Sequence, residues 1–165
     1  MCGGFNAGPT ADDARLDEFF RSYAKQNEKR QTSATSLAWA ATAIAGFVTI
    51  VPGTVDPLRI KDHVKGLGRH SAPVLVLARM ATDARFQKQG VGDRLPRDVV
   101  FPKAIDLADG FGCVGVWVDA KPGAIAFYAR YGFVALPSEA ITTEPAPMFL
   151  PLGTLRTAAP RPAPT

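Results

Sequence analysis

The chain has 165 residues, 47% hydrophobic and 21% charged, which excludes a disordered or fibrous protein and suits one domain with a sizeable core. Its net charge of +4 leans toward anionic partners such as phosphate-bearing coenzymes or RNA. Cys2 and Cys113 stand far apart, so there is neither a disulfide framework nor a zinc pattern, and no metal is expected.

Met1 to Pro9 is glycine-rich and is expected to be flexible. It lacks a basic-then-apolar signal pattern, so a cytoplasmic protein is the simple expectation. Thr10 is placed to cap a helix whose first turn holds Asp12 and Asp13, the favoured sign there. Leu16, Phe19, Phe20 and Tyr23 recur at helical spacing and make its buried stripe. Arg21, Lys25 and Lys29 follow at i, i+4 and i+8 on the opposite face, with Arg30 nearby. From Gln31 to Val55 no residue is charged, which invites a membrane span. The threonines, serines, glycines and Pro52 in that run argue instead for two buried strands, about 36–42 and 45–51. No Asn-Gly or Asp-Gly marks the turn between them.

Residues 56–73 read as a long polar loop and 74–81 as a strand. A helix is expected over about 92–109, interrupted by Pro96 and Pro102, each costing about 3 kcal/mol in a helix interior. That predicts a kink. Residues 113–118 read as a buried strand holding Cys113 as a small core residue, 124–131 as a helix with a glycine cap, and 133–136 as a strand. A last strand is expected over 147–152 and a disordered proline-rich tail over 156–165.

The stretch Gln87-Lys88-Gln89-Gly90-Val91-Gly92 lies between the 74–81 strand and the 92–109 helix. The first N–H groups of a helix lack intrahelical partners, and its dipole favours anions there. Gly90 and Gly92 keep Cβ atoms out of the way, and Lys88 adds positive charge at the rim. These features describe a phosphate site. The plain alternative is a glycine turn before a helix. A Walker loop is not spelled, and a dinucleotide fingerprint would need glycine where Leu95 stands.

The spelling Gln/Arg-x-x-Gly-x-Gly/Ala resembles the pyrophosphate loop of the GCN5-related N-acetyltransferases, the GNAT family. Downstream, Ala124-Ile125-Ala126-Phe127-Tyr128, closing on Gly132-Phe133, resembles the family's C-terminal acetyl-CoA motif, in the expected order and at the expected separation. Leu16 to Phe20, Leu75 to Asp83 with Phe86-Gln87, and Phe127-Tyr128 look like the toxin branch of type II toxin–antitoxin modules. The resemblance implies an α/β GNAT fold over residues 10–155, with a mixed central β-sheet flanked by helices and splayed strands at the acetyl-CoA site. It implies acetyl transfer to the amino group of aminoacyl-tRNA, which blocks translation. It implies a ribbon-helix-helix antitoxin as partner, and a branch whose members often form a homodimer. A GNAT enzyme acting on a small-molecule or protein amine is the alternative. A catalytically dead GNAT fold serving as a binding module, suggested by the two prolines, is a third reading.

By the same resemblance, backbone groups of Met80, Ala81 and Thr82 hold the acetyl carbonyl and pantetheine arm. Gln87, Lys88, Gln89, Gly90, Val91 and Gly92 take the pyrophosphate of acetyl-CoA. Tyr128 is the candidate general acid, since a phenol is protonated near neutral pH; the other reading makes it one more core aromatic. No general base stands out, and His63 and His70 read as solvated loop residues. Arg21, Lys25, Lys29 and Arg30 form the candidate tRNA-binding stripe. A solvated helix face whose late charges complement the helix dipole is its competitor.

Overall fold

The computed structural model describes residues 4–137 and 145–158. The helices are α1 (Ala11–Glu18), α2 (Ala24–Lys29), α3 (Pro57–Ile60), α4 (Val91–Leu95), α5 (Phe101–Gly110), α6 (Ile125–Ala129) and α7 (Leu152–Ala158). The strands are β1 (Ala34–Ala40), β2 (Ala43–Val55), β3 (Ala72–Thr82), β4 (Gly115–Ala120), β5 (Val134–Ala135) and β6 (Ala146–Pro151). They form one mixed six-stranded sheet in the order β1-β2-β3-β4-β6-β5. β1 and β2 run antiparallel, β3 and β4 parallel, and β6 antiparallel to both β4 and β5. Two compact units result, Met1–Val51 with Leu77–Val100 and Pro52–Val76 with Phe101–Thr165.

The first unit packs around Phe47, which is fully buried among Phe5, Phe19, Ile44 and Ala81. Burying one such ring is worth about 1.5–3 kcal/mol. Phe20 stacks on Phe47 at 4.9 Å, and Phe5 meets it edge-on at 5.4 Å. The glycine-rich N-terminus packs against this cluster through Phe5 and Ala7. Phe5 and Ala7 are core residues, and Asn6 accepts from the Ala84 N–H and donates its own N–H to the Asp83 carboxylate. Met1 to Gly3 lie outside the described residues. Thr10 and Asp13 cap each other's backbone N–H groups at the start of α1, as expected from a capping box.

The buried stripe changes register where a wide π turn, Phe19–Tyr23, separates α1 from α2. One extra residue in a turn rotates the succeeding helix by about 100°. Ala24 takes the inward position, and Tyr23 is 47% exposed, contrary to its expected place in the core.

The charge-free run forms β1, two residues earlier than expected and with no buried residue, and β2, longer than expected and largely buried, joined by Ala41-Thr42 with Ala41 at φ +51°. The left-handed residue that a two-residue turn needs is here an alanine, which no sequence rule flags. Among the described residues no helix is long and apolar enough to cross a membrane.

In the second unit, the supposed loop over 56–73 opens with α3. Asp56 caps it by accepting from the Leu58 N–H at 2.9 Å, and Pro57 holds its first position. Ile60 on α3 is fully buried with Val55, Val74 and Phe149. Cys113 is buried, its thiol donating to the Gly115 carbonyl at 3.2 Å. The supposed tail begins as helix: α7 runs to Ala158, buries Leu155 and pairs Arg156 with Asp109. The remainder, 159–165, lies outside the described residues.

The long helix adapts to its prolines. α4 ends at Leu95, a π turn spans Pro96–Val100, and α5 begins at Phe101. A wide turn moves the preceding carbonyls away from the ladder that proline cannot join. Pro102 comes directly after, at the second residue of α5.

Candidate active site

In the first unit, Asp83, the residue after β3, organises the loop that follows it. Its backbone N–H donates to the Ala45 carbonyl at 2.9 Å, and its side chain is fully buried. The carboxylate accepts from Asn6 N–H at 3.0 Å, Arg85 N–H at 2.9 Å, Arg85 Nε at 2.8 Å and Arg85 Nη2 at 3.0 Å. The Arg85 side-chain bond leads in holding its pKa down at about 2, against the opposing pull of burial. The same pairing raises Arg85. This four-bond knot caps the 3₁₀ turn Ala84–Phe86 and sets the direction of the loop after it.

In that loop, Gln87 Nε2 donates to the Ala7 carbonyl at 2.7 Å and to the Thr82 carbonyl at 3.3 Å. Gln89 Nε2 donates to the Arg85 carbonyl at 2.9 Å. Both amides thus brace the loop from behind. Lys88 at φ +60° and Gly90 at φ +84° flank Gln89, whose φ is not positive. Left-handed positions of this kind are an ingredient of backbone nests that hold anions. A Cβ at Gly90 would meet nothing within 4 Å, so backbone conformation alone calls for glycine there. A Cβ at Gly92 would come 3.4 Å from Thr82 Oγ1, an ordinary contact. Val91 begins α4, and the Arg94 N–H returns to the Gly90 carbonyl at 3.2 Å. Lys88 is exposed beside this turn, at the start of α4.

Met80, Ala81 and Thr82 end β3, with Ala81 buried and the other two half-buried. Gly46 on β2 is a positioning residue the sequence did not reveal. A Cβ there would lie 2.9 Å from the Ala81 carbonyl, so only glycine lets this backbone sit where it does.

Tyr128 belongs to the second unit. The 3₁₀ turn Pro122–Ala124 leads into α6, which presents Tyr128 inward at 6% exposure. Its ring lies 5.2 Å from Phe127 at 85° and 5.4 Å from Phe133 at 64°. Gly132 at φ +92° ends the helix and brings Phe133 beneath it. Burial pushes the Tyr128 phenol up to about 12, so it holds its proton at neutral pH.

Arg21, Lys25, Lys29 and Arg30 are all exposed in the first unit. Arg21 is committed, its Nη2 donating to the Phe5 carbonyl at 2.8 Å. Among the described residues there is no cluster of three or more His, Cys, Asp or Glu placed to hold a metal.

Comparison with known proteins adds to this geometry. A tRNA-acetylating toxin of Mycobacterium tuberculosis is 26% identical over 131 residues, 79% of this chain and 78% of its own length. The crystal structure of a bacterial toxin superposes with a TM-score of 0.83 at 25% identity, covering 93% of this chain and 84% of that one. AtaT complexed with an acetyl-methionyl-tRNA gives 0.77 at 20% identity, covering 93% and 88%. An AtaT variant bound to the C-terminus of the antitoxin AtaR and acetyl-CoA gives 0.74 at 18% identity, covering 93% and 86%. The AtaT likenesses concern the fold alone. The sequence profile of the acetyltransferase (GNAT) family matches residues 7–133, which takes in the Asp83 knot, the loop behind it and the Tyr128 helix, and the chain belongs to that family.

Proposed function

We propose that the chain moves acetyl from acetyl-CoA to the α-amine of an aminoacyl-tRNA and so acts as a translation-blocking toxin. The observation that carries the reading is the match to the Mycobacterium tuberculosis tRNA-acetylating toxin over nearly four-fifths of both chains. The alternating left-handed positions at Lys88 and Gly90 support the donor half of the reaction.

In this reading the turn before α4 and Lys88 take the pyrophosphate, and backbone N–H groups of Met80 to Thr82 polarise the acetyl carbonyl. The neutral amine attacks the thioester carbon, the C–S bond breaks, and the departing sulfur takes its proton from Tyr128. The amine gives up its own proton to water. Lys25, Lys29 and Arg30 supply sequence-independent attraction for RNA phosphates. Arg21 contributes less, because it already ties down Phe5. A ribbon-helix-helix antitoxin is the regulatory partner and a homodimer the assembly.

The test uses purified protein, radiolabelled acetyl-CoA, charged tRNA, uncharged tRNA and free amines. Label on charged tRNA alone is the expected result. Label on free amines but never on charged tRNA makes the chain an enzyme for small-molecule or protein amines. Replacing Lys25, Lys29 and Arg30 with Glu should weaken tRNA binding and flatten its salt dependence, by roughly 0.7–0.9 in log–log slope for each phosphate no longer neutralised. Unchanged tRNA labelling in that variant removes the stripe from the docking face.

A further inference from the structure

A pocket of about 310 Å³ opens on the second unit. Val74 and Val76 of β3 and the half-buried indole of Trp117 on β4 form its apolar lining. The exposed guanidinium of Arg59 on α3 lies over the indole, 4.8 Å from the ring centroid. Trp117 Nε1 donates to Asp119 Oδ1 at 3.2 Å, which fixes the indole and places a carboxylate at its edge. Asp56 adds a second carboxylate.

We propose that this pocket takes an unpaired nucleobase bearing an exocyclic amine, stacked on Trp117 and covered by Arg59. Four observations carry it. The indole face already holds a planar cationic π group, so it suits a flat heteroaromatic ring. Arg59 is exposed and long, so it can swing out and close over an entering base. The volume exceeds that of one base and does not reach that of a nucleotide pair. The charges, two carboxylates against one guanidinium, repel a phosphate but accept hydrogen bonds from an amine. Cytosine and adenine present such an amine on their Watson–Crick edge. Uracil offers a single N3–H, flanked on both sides by carbonyls that face the same carboxylate, and is disfavoured. That the base comes from RNA rests on the tRNA reading above; the chemistry of the pocket does not.

The chain has two tryptophans, so two indole N–H signals appear in the nitrogen-15 spectrum, and Trp39→Phe identifies the one from Trp117. Titration with cytidine and uridine, both free of phosphate, is expected to move the Trp117 signal saturably, with cytidine binding several-fold more tightly. Asp119→Asn turns an acceptor into a donor and should reverse that order. Trp117→Leu should weaken a labelled cytidine-cytidine-adenosine trinucleotide by roughly 5- to 150-fold. If the leucine variant fails to fold, the Asp119→Asn reversal still decides. Equal responses to the two nucleosides, or no saturation with either, overturn the proposal. If Asp119→Asn changes the affinity for coenzyme A and not for the trinucleotide, the occupant is the coenzyme's adenine and the RNA source is overturned. Base selectivity without acetylation of charged tRNA keeps the pocket and rejects the proposed function.

Discussion

The two candidate regions, the loop of the first unit and the tyrosine of the second, are built by opposite means. The loop from Asp83 to Gly92 is held by polar bonds: four to one buried carboxylate, and three more from the amides of Gln87 and Gln89. Tyr128 is held by aromatic packing among Phe127 and Phe133. A polar brace fixes direction closely but depends on protonation and on every partner being present. An aromatic socket fixes position by volume and tolerates changes that keep the ring. A chemical group can therefore be removed from the aromatic socket with little structural cost. In the polar loop, structure and function should fail together.

Tyr128→Phe is the sharpest use of that difference, and the largest effect. The ring and its two edge-on contacts remain, and only the phenolic hydroxyl is removed. Turnover should fall by roughly a hundred- to ten-thousand-fold with coenzyme affinity and thermal midpoint nearly unchanged. Rapid-quench kinetics beside calorimetry separates the two. A near-normal rate would return Tyr128 to a purely structural role. Because the phenol is raised to about 12, no alkaline loss of rate near pH 10 should arise from it in the wild type.

Gly90 tests the polar loop at an exposed position. There is room for a side chain, but φ is +84°. Gly90→Ala should lose about 1–2 kcal/mol of stability through the left-handed backbone. Gly90→Asn should lose less, since asparagine tolerates that region. Gly90→Glu adds negative charge at this turn and should weaken acetyl-CoA by about 10- to 100-fold, roughly 1.4–2.8 kcal/mol, measured by calorimetry. Equal affinity across all three folded variants would move the phosphate site elsewhere.

The elements whose residues signal locally were legible in the sequence. Thr10 with Asp12 and Asp13 announced α1, and the glycines announced the turn before α4. The hidden features depend on partners distant in sequence. Nothing near Phe5 says that it packs on Phe47, and nothing near Gly46 says that the Ala81 carbonyl approaches it. The π turn at Phe19–Tyr23 sends Tyr23 outward although the spacing of apolar residues reads as unbroken helix. Proline content masked α7, because Leu155 has apolar company only in the folded chain. Asp56-Pro57 did carry a local cap signal for α3, submerged in a polar stretch. At the site, the motif residues were visible, yet the brace behind them was not. Asp83 and Arg85 are two apart and look like ordinary surface charges until Asn6, some seventy-seven residues away, comes to meet them.

Asp83→Asn is nearly isosteric and probes that brace. The amide keeps the size of the side chain, loses the charge, and turns one acceptor into a donor facing the N–H groups of Arg85 or Asn6. Removing charge-assisted bonds from a buried acceptor should cost about 1–3 kcal/mol at neutral pH. The depressed pKa sets the sign of the pH dependence. The folded state holds the carboxylate at about 2 against an ordinary value of 3.8, so its contribution is complete above about pH 4 and disappears as pH falls toward 2. Wild type and variant should therefore differ in urea midpoint at pH 7 and converge between pH 4 and 2. Both acetyl-CoA affinity and stability should drop together in the variant, because the carboxylate that aims the loop also anchors Asn6. A variant that loses coenzyme affinity with an unchanged urea midpoint would show that Asp83 serves the ligand directly, and the polar loop would then be no more fragile than the aromatic socket.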